Sequence, residues 1–128
     1  MWRTLIGRIA GWGAARQLRT FLAAAAEPAA LERPLLRRQL RLLAGSRFAR
    51  DHRLAEVDSY ADLVRRLPVR GYDRLAPYVE EVKRGDLSAL FAPGVDLRMF
   101  ALTSGTTGEP KYIPVTGPFV EDYRRGWN

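Results

Sequence analysis

The 128-residue sequence contains no cysteine. Disulfides, thiolate metal sites and a cysteine nucleophile are therefore all excluded. His52 is the only histidine, and one imidazole cannot build a histidine-rich metal site. Its setting, "ARDHRL", reads as a polar loop. Lysine is scarce as well, with only Lys83 and Lys111, so the positive charge is carried by arginine. Long apolar runs are missing too. The stretch "TFLAAAA" falls well short of the ~20 apolar residues a spanning helix needs, and Arg8, Arg16 and Arg19 interrupt what would be the core of a signal peptide. The expected location is cytoplasmic. A weak peripheral membrane contact through Trp2, Leu5, Ile6 and Ile9, which share a helical face, is the one exception left open.

What is present suits an ordinary folded chain: 47% hydrophobic and 27% charged residues, enough for one modest domain with its own core. The net charge of +7 is unevenly distributed. Residues 1–53 hold eleven arginines against Glu27, Glu32 and Asp51, whereas residues 54–128 hold ten bases against eleven acids. A basic N-terminal segment can meet RNA or an anionic membrane surface. The reading favoured is a solvated helical face, with no nucleic-acid partner expected.

Periodicity divides the chain into helices followed by strands. Trp2 to Ala26 reads as mostly helical despite Gly7, Gly11 and Gly13, and Pro28 closes it. A second helix is predicted to start at Pro34, carry Leu35, Leu36, Leu40 and Leu43, and end at Gly45. A third follows an Asp58 or Ser59 cap and stops at Pro68. A fourth is predicted from an Asp73 cap, with Pro77 early, Tyr78, Val79 and Val82 facing inward, and Gly85 at its end. "RMFALT" and "YIPVT" are short, aromatic and β-branched, as strands are. Thr116 then caps a helix with Pro118 in its first turn.

Between the two strands lies "LTSGTTGEPKYIPVT", Leu102 to Thr116. Gly105 and Gly108 open conformations closed to other residues and admit close approach of a ligand. Thr103, Ser104, Thr106 and Thr107 supply hydroxyls, successive amides can form an anion-binding concavity, and Lys111 adds a cation. These are the parts of a phosphate grip. A plain polar hairpin loop fits the same composition equally well. The P-loop of NTPases is excluded, because Lys111 follows Pro110 and leads into a strand instead of a helix.

The order of residues in "TSGTTGEPK" resembles the signature loop of the ATP-dependent adenylate-forming superfamily, which includes luciferases and acyl-CoA synthetases. The flanks "LPVRGYDRLAPYVEEVKRGD", "LFAPG", "FALTSGTTGEPKYIPVT" and "YRRGW" are similar to the GH3 auxin-responsive promoter family, and Tyr112 stands where many acyl-CoA synthetases have glycine. This resemblance covers Leu67 to Asn128 most strongly. It implies an α/β fold: a basic helical region over 1–66, then over 67–128 the first strands and phosphate loop of a luciferase-like N-terminal domain, incomplete in this chain. It also implies an acyl acid-amido synthetase, activating a carboxylic acid as acyl-AMP with ATP and Mg²⁺ and passing it to an amine such as an amino acid. Another adenylate-forming enzyme, such as an acyl-CoA ligase, is the neighbouring alternative. Carried over residue by residue, Thr103, Ser104, Thr106 and Thr107 would face the β and γ phosphates, Gly105 and Gly108 would allow approach and motion, and Lys111 would offset phosphate charge or anchor the loop. No catalytic acid or base and no metal ligand is assigned. The rest of the nucleotide pocket would lie beyond Asn128, so the 128 residues are expected to be inactive alone and, with strand edges unpaired, poorly soluble.

Overall fold

The computed structural model describes the backbone of residues 2–105 and 108–127 and, of these, the side chains of all but residues 2–11, Ala14 and Trp127. The first helix, α1, spans Trp2–Ala26 and the second, α2, spans Pro28–Leu43. Helix α2 thus begins at Pro28, not at Pro34 as the sequence suggested. Pro28 takes the first-turn place, where a missing N–H costs nothing because no helical acceptor faces it. Pro34 lies inside the helix and removes one backbone bond, the one Ala30's carbonyl would accept. Ala30 is exposed, so water can replace that donor. Gly45, at φ +75°, reverses the chain after α2.

Ser46 then caps a five-residue helix, α3 (Arg47–Asp51), that the sequence reading did not find. Its buried hydroxyl accepts from the Ala49 amide at 3.0 Å. A 3₁₀ turn at Leu54–Glu56 follows. Helix α4 (Tyr60–Arg66) has the predicted Ser59 cap. The Ser59 oxygen accepts from the Asp62 amide at 3.1 Å and its hydroxyl donates to the Asp62 carboxylate at 2.7 Å, while that carboxylate also accepts from the Asp58 amide. This is a reciprocal capping arrangement.

Helix α5 runs over Ala76–Lys83 and is not capped by Asp73. With Asp73 as cap, the first helical bond would have to come from the N–H of residue 77, which is proline and has none. The chain instead forms a 3₁₀ turn at Tyr72–Arg74, and Leu75 accepts the amides of Tyr78 and Val79 at 3.1 Å. Val79 and Val82 are buried as predicted, and Gly85 (φ +100°) follows the end of the helix.

Strands β1 (Leu97–Leu102) and β2 (Tyr112–Thr116) form an antiparallel pair, with Leu102 opposite Tyr112 and an irregularity between Leu97 and Met99. Helix α6 (Gly117–Trp127) leaves β2 directly. The Thr116 hydroxyl oxygen lies 3.4 Å from the Phe119 amide, the cap the sequence suggested. The described residues are therefore mostly helical, with one two-stranded sheet.

Two apolar clusters hold these elements. Leu36, Ala49, Leu54 and Val57 form the first. Val79, Val82, Ala89 and Leu90 form the second, against which Tyr72, Phe100 and Tyr112 pack. Phe48 packs on both, and its ring meets Tyr78 edge-on at 5.1 Å. It sits beside Arg47, whose guanidinium pairs with Glu81 at 2.7 Å, so α3 carries both an apolar and an ionic link to α5. Helix α6 is fastened to α2 by Arg38 and Asp122, 2.7 Å apart.

Two outcomes follow from this packing. Phe48→Ala should lower stability by about 3 kcal/mol, the lower end for loss of a large aromatic because Phe48 is only half-buried, and urea unfolding should show it as a lower midpoint. The Arg38 guanidinium, through its hydrogen bond and charge, holds the Asp122 carboxyl below the usual Asp range. A folded-state pKa that is depressed gives stabilisation that is fully present above the ordinary value of about 3.9 and lost as pH falls through the folded value. The difference in thermal midpoint between the native chain and Arg38→Gln should therefore be largest near neutral pH and vanish on acidification. A difference independent of pH would contradict this role for the pair.

Candidate phosphate-binding loop

Residues 103–111 connect β1 to β2, and the neck of this loop is closed by two bonds. The Thr103 amide donates to the Lys111 carbonyl at 3.2 Å, and the Lys111 amide donates back to the Thr103 hydroxyl oxygen at 3.0 Å. Since Thr103 Oγ1 is used as an acceptor, its proton is still available to donate. One residue below the neck, the backbone groups of Tyr112 both meet the Tyr72 hydroxyl. That hydroxyl donates to the Tyr112 carbonyl at 2.9 Å and accepts from the Tyr112 amide at 3.2 Å. A single phenol oxygen thus satisfies two backbone groups at the base of the loop.

The aromatic face of the same residue is also held. The Lys83 ammonium lies 3.8 Å from the Tyr112 ring centroid, and Phe100 meets that ring edge-on at 6.1 Å. Glu80 holds Lys83 in place at 2.8 Å, and this hydrogen bond raises the lysine's pKa above its ordinary value. The base of the loop is therefore fixed from the helical side by α5 and by the turn at Tyr72.

The two glycines differ in what they do. Gly105 has φ +65°, a left-handed conformation, and an added Cβ would sit 3.0 Å from the Gly108 carbonyl oxygen and 3.1 Å from Pro110 Cγ. Glycine is required there by the loop's own geometry. The Gly108 amide donates to the Gly105 carbonyl at 3.2 Å; an added Cβ at Gly108 meets nothing within 4 Å, so the constraint there is its backbone, at φ +158°.

Among the other residues singled out in the sequence, Ser104 is exposed. Lys111 is exposed as well, with its ammonium 5.9 Å from the Tyr72 ring, and it forms no ion pair among the described residues. Thr106 and Thr107 lie outside the described residues. The loop thus offers hydroxyl protons from Thr103 and Ser104 and an unpaired cation, on a backbone turned by a glycine, which is the equipment for an oxyanion. Among the described residues no group of three or more Asp, Glu, His or Cys could hold a metal ion.

Tyr72, Glu80 and Lys83 support this site but carried no sequence signal for it. Tyr72 is 40 residues from its partner. His52 lies in the turn after α3, as its loop reading expected, but it is half-buried: its Nδ1 lies 3.0 Å from the Phe48 carbonyl oxygen, and its ring is 4.3 Å from that of Phe48. That is a packing role.

With this geometry in hand, the comparisons with known proteins are consistent with the order of the motif. The sequence profile described as the GH3 family N-terminal domain matches residues 17–128, and the chain belongs to the GH3 family. No curated protein and no solved structure matches it.

The support beneath the loop can be tested without a ligand. Tyr72→Phe should cost about 1.4 kcal/mol, within the range for leaving backbone groups unpaired, and the Tyr112 amide should exchange with solvent roughly tenfold faster. Gly105→Ala should open the turn, accelerating exchange at Gly108 more than at Tyr112. Equal acceleration at both amides would mean that the turn and its base open as one unit.

Proposed function

We propose that residues 103–111 bind the phosphates of ATP in an acid-amido synthetase of the adenylate-forming class. A carboxylate oxygen of the acyl acid attacks the α phosphorus, the bond to the bridging oxygen breaks, and pyrophosphate leaves. An amine, such as that of an amino acid, then attacks the acyl-AMP carbonyl and displaces AMP to give the amide. Steps of this kind depend on positioning and on stabilising charge.

The observation that carries the reading is the hairpin with both ends held: a glycine-turned loop whose cation is unpaired, closed at its neck by Thr103 and Lys111, and anchored below by Tyr72. In this reading Ser104 and Thr103, with Thr106 and Thr107, donate hydroxyl protons to the β and γ phosphates. Gly105 shapes the turn. Gly108, whose backbone lies at φ +158° and where an added Cβ would meet nothing within 4 Å, leaves the phosphates room to come close. Lys111 offsets their charge. Mg²⁺ would travel with the triphosphate, held by phosphate oxygens, since the described residues offer no carboxylate set for it. Residues 67–128 would begin the nucleotide-binding unit, and residues 1–66 would form its helical support. Cytoplasmic action belongs to the same proposal; the structure adds only that no helix among the described residues is long and apolar enough to cross a membrane.

Calorimetric titration of the chain with MgATP and with inorganic triphosphate tests the phosphate role directly. Both should bind. Lys111→Ala should weaken each about tenfold, as expected for loss of a charged partner, and Ser104→Ala should weaken each by roughly threefold to fivefold, as for a neutral hydrogen bond. Binding of ATP but not of triphosphate, or equal affinity in Lys111→Ala, would overturn the assignment.

A further inference from the structure

Away from the hairpin, the second half of α2, α3 and the 3₁₀ turn at Leu54–Glu56 enclose a cleft of about 600 Å³. This lies within the roughly 300–1,000 Å³ typical of small-molecule sites. The cleft shares no residue with loop 103–111. Its floor is apolar, built from Leu40, Ala49, Leu54 and Val57, which also belong to the first core cluster. Its remaining lining includes four arginines, Arg37, Arg41, Arg50 and Arg53, and one carboxylate, Glu56.

That carboxylate has its own partner outside the cleft lining, since Glu56 pairs with Arg66 at 2.6 Å. Arg50 donates to the Gly45 carbonyl. Arg37 comes only to 4.0 Å from Asp58, both groups being well exposed, so that contact is weak. Arg41 and Arg53 form no ion pair among the described residues. Arg53 has a further peculiarity: at φ +50° it is the one non-glycine residue with a left-handed backbone among those described. Four guanidinium groups around an apolar floor, outnumbering the one carboxylate of the lining, complement an oxyanion attached to a hydrocarbon.

We propose that this cleft binds an aliphatic chain ending in a carboxylate, with the chain along the apolar floor and the head on Arg41 and Arg53. Both parts of the ligand are needed. The cleft presents too little polar surface to hold a small anion by itself, and its rim is too strongly cationic to prefer a neutral chain. The proposal stands apart from the ATP reading, since binding here requires neither nucleotide nor the loop.

Titration of the full chain with decanoate, 1-decanol and acetate, followed by calorimetry at concentrations below micelle formation, separates the possibilities. Decanoate should bind saturably at one site per chain, at least tenfold tighter than 1-decanol, and acetate should show no binding. Arg41→Gln combined with Arg53→Asn should weaken decanoate tenfold or more and leave 1-decanol unchanged. Asparagine is chosen at position 53 because it tolerates the left-handed backbone, so that charge is removed without added strain. Arg70→Gln, which removes one charge outside the cleft, should have no effect. Equal affinity for decanoate and 1-decanol, non-saturable uptake of several chains, or equal losses from Arg70→Gln and the double variant would overturn the proposal.

Discussion

The loop region depends on the Tyr72 hydroxyl, which donates to the Tyr112 carbonyl and accepts from the Tyr112 amide. A two-stranded hairpin is marginal in water on its own. Here β2 is held on one side by β1 and on the other by a phenol that comes from the helical part of the chain. The same tyrosine packs on the cluster of Val79, Val82, Ala89 and Leu90, so the strand edge is tied to the best-buried part of the protein. Lys83 then covers the Tyr112 ring from α5. The loop is thus a short span of unusual backbone between two strand ends that cannot easily move apart.

This arrangement reconciles a rigid base with an open tip. Thr103 and Lys111 are fixed in the neck by both Lys111 backbone groups, the Thr103 amide and the Thr103 hydroxyl oxygen, while the Lys111 ammonium has no carboxylate partner among the described residues and Ser104 is exposed. A loop that had satisfied its own cation would have less to offer an anion. Family membership and geometry meet at this point: the GH3 N-terminal domain profile covers the whole hairpin, and the hairpin has donors and charge without an internal use for them. The arginine-rimmed cleft follows the same logic elsewhere in the chain, with four arginines and a single carboxylate placed around apolar surface.

Much of the fold was legible in the sequence because it is local. The Ser59 cap with Asp62 three residues on, Gly45 and Gly85 after helices, the two β-branched segments and the Thr116 cap all act within a few residues of themselves. The failures were of two kinds. Competing prolines misplaced two helix starts: Pro28 preceded Pro34 as a first-turn residue, and Pro77 could not supply the bond an Asp73 cap would need. Helix α3 escaped because its cap, Ser46, acts over only five residues, too few to show a period. At the site, the motif singled out Gly105, Thr103 and Lys111, but the bonds by which Thr103 and Lys111 close the neck emerged only from the structure. Tyr72 and Lys83 could not, since their roles exist only once distant segments have packed together.

The central claim is that this anchored loop takes up the phosphates of ATP. The most direct measurement is an amide-resolved magnetic resonance titration of the chain with MgATP. The account predicts that the signals of Ser104, Gly105, Gly108 and Lys111 shift together along one saturation curve, while Tyr112, bonded to Tyr72 below them, moves little. Saturable shifts confined to other parts of the chain, with the loop amides unmoved, would contradict it.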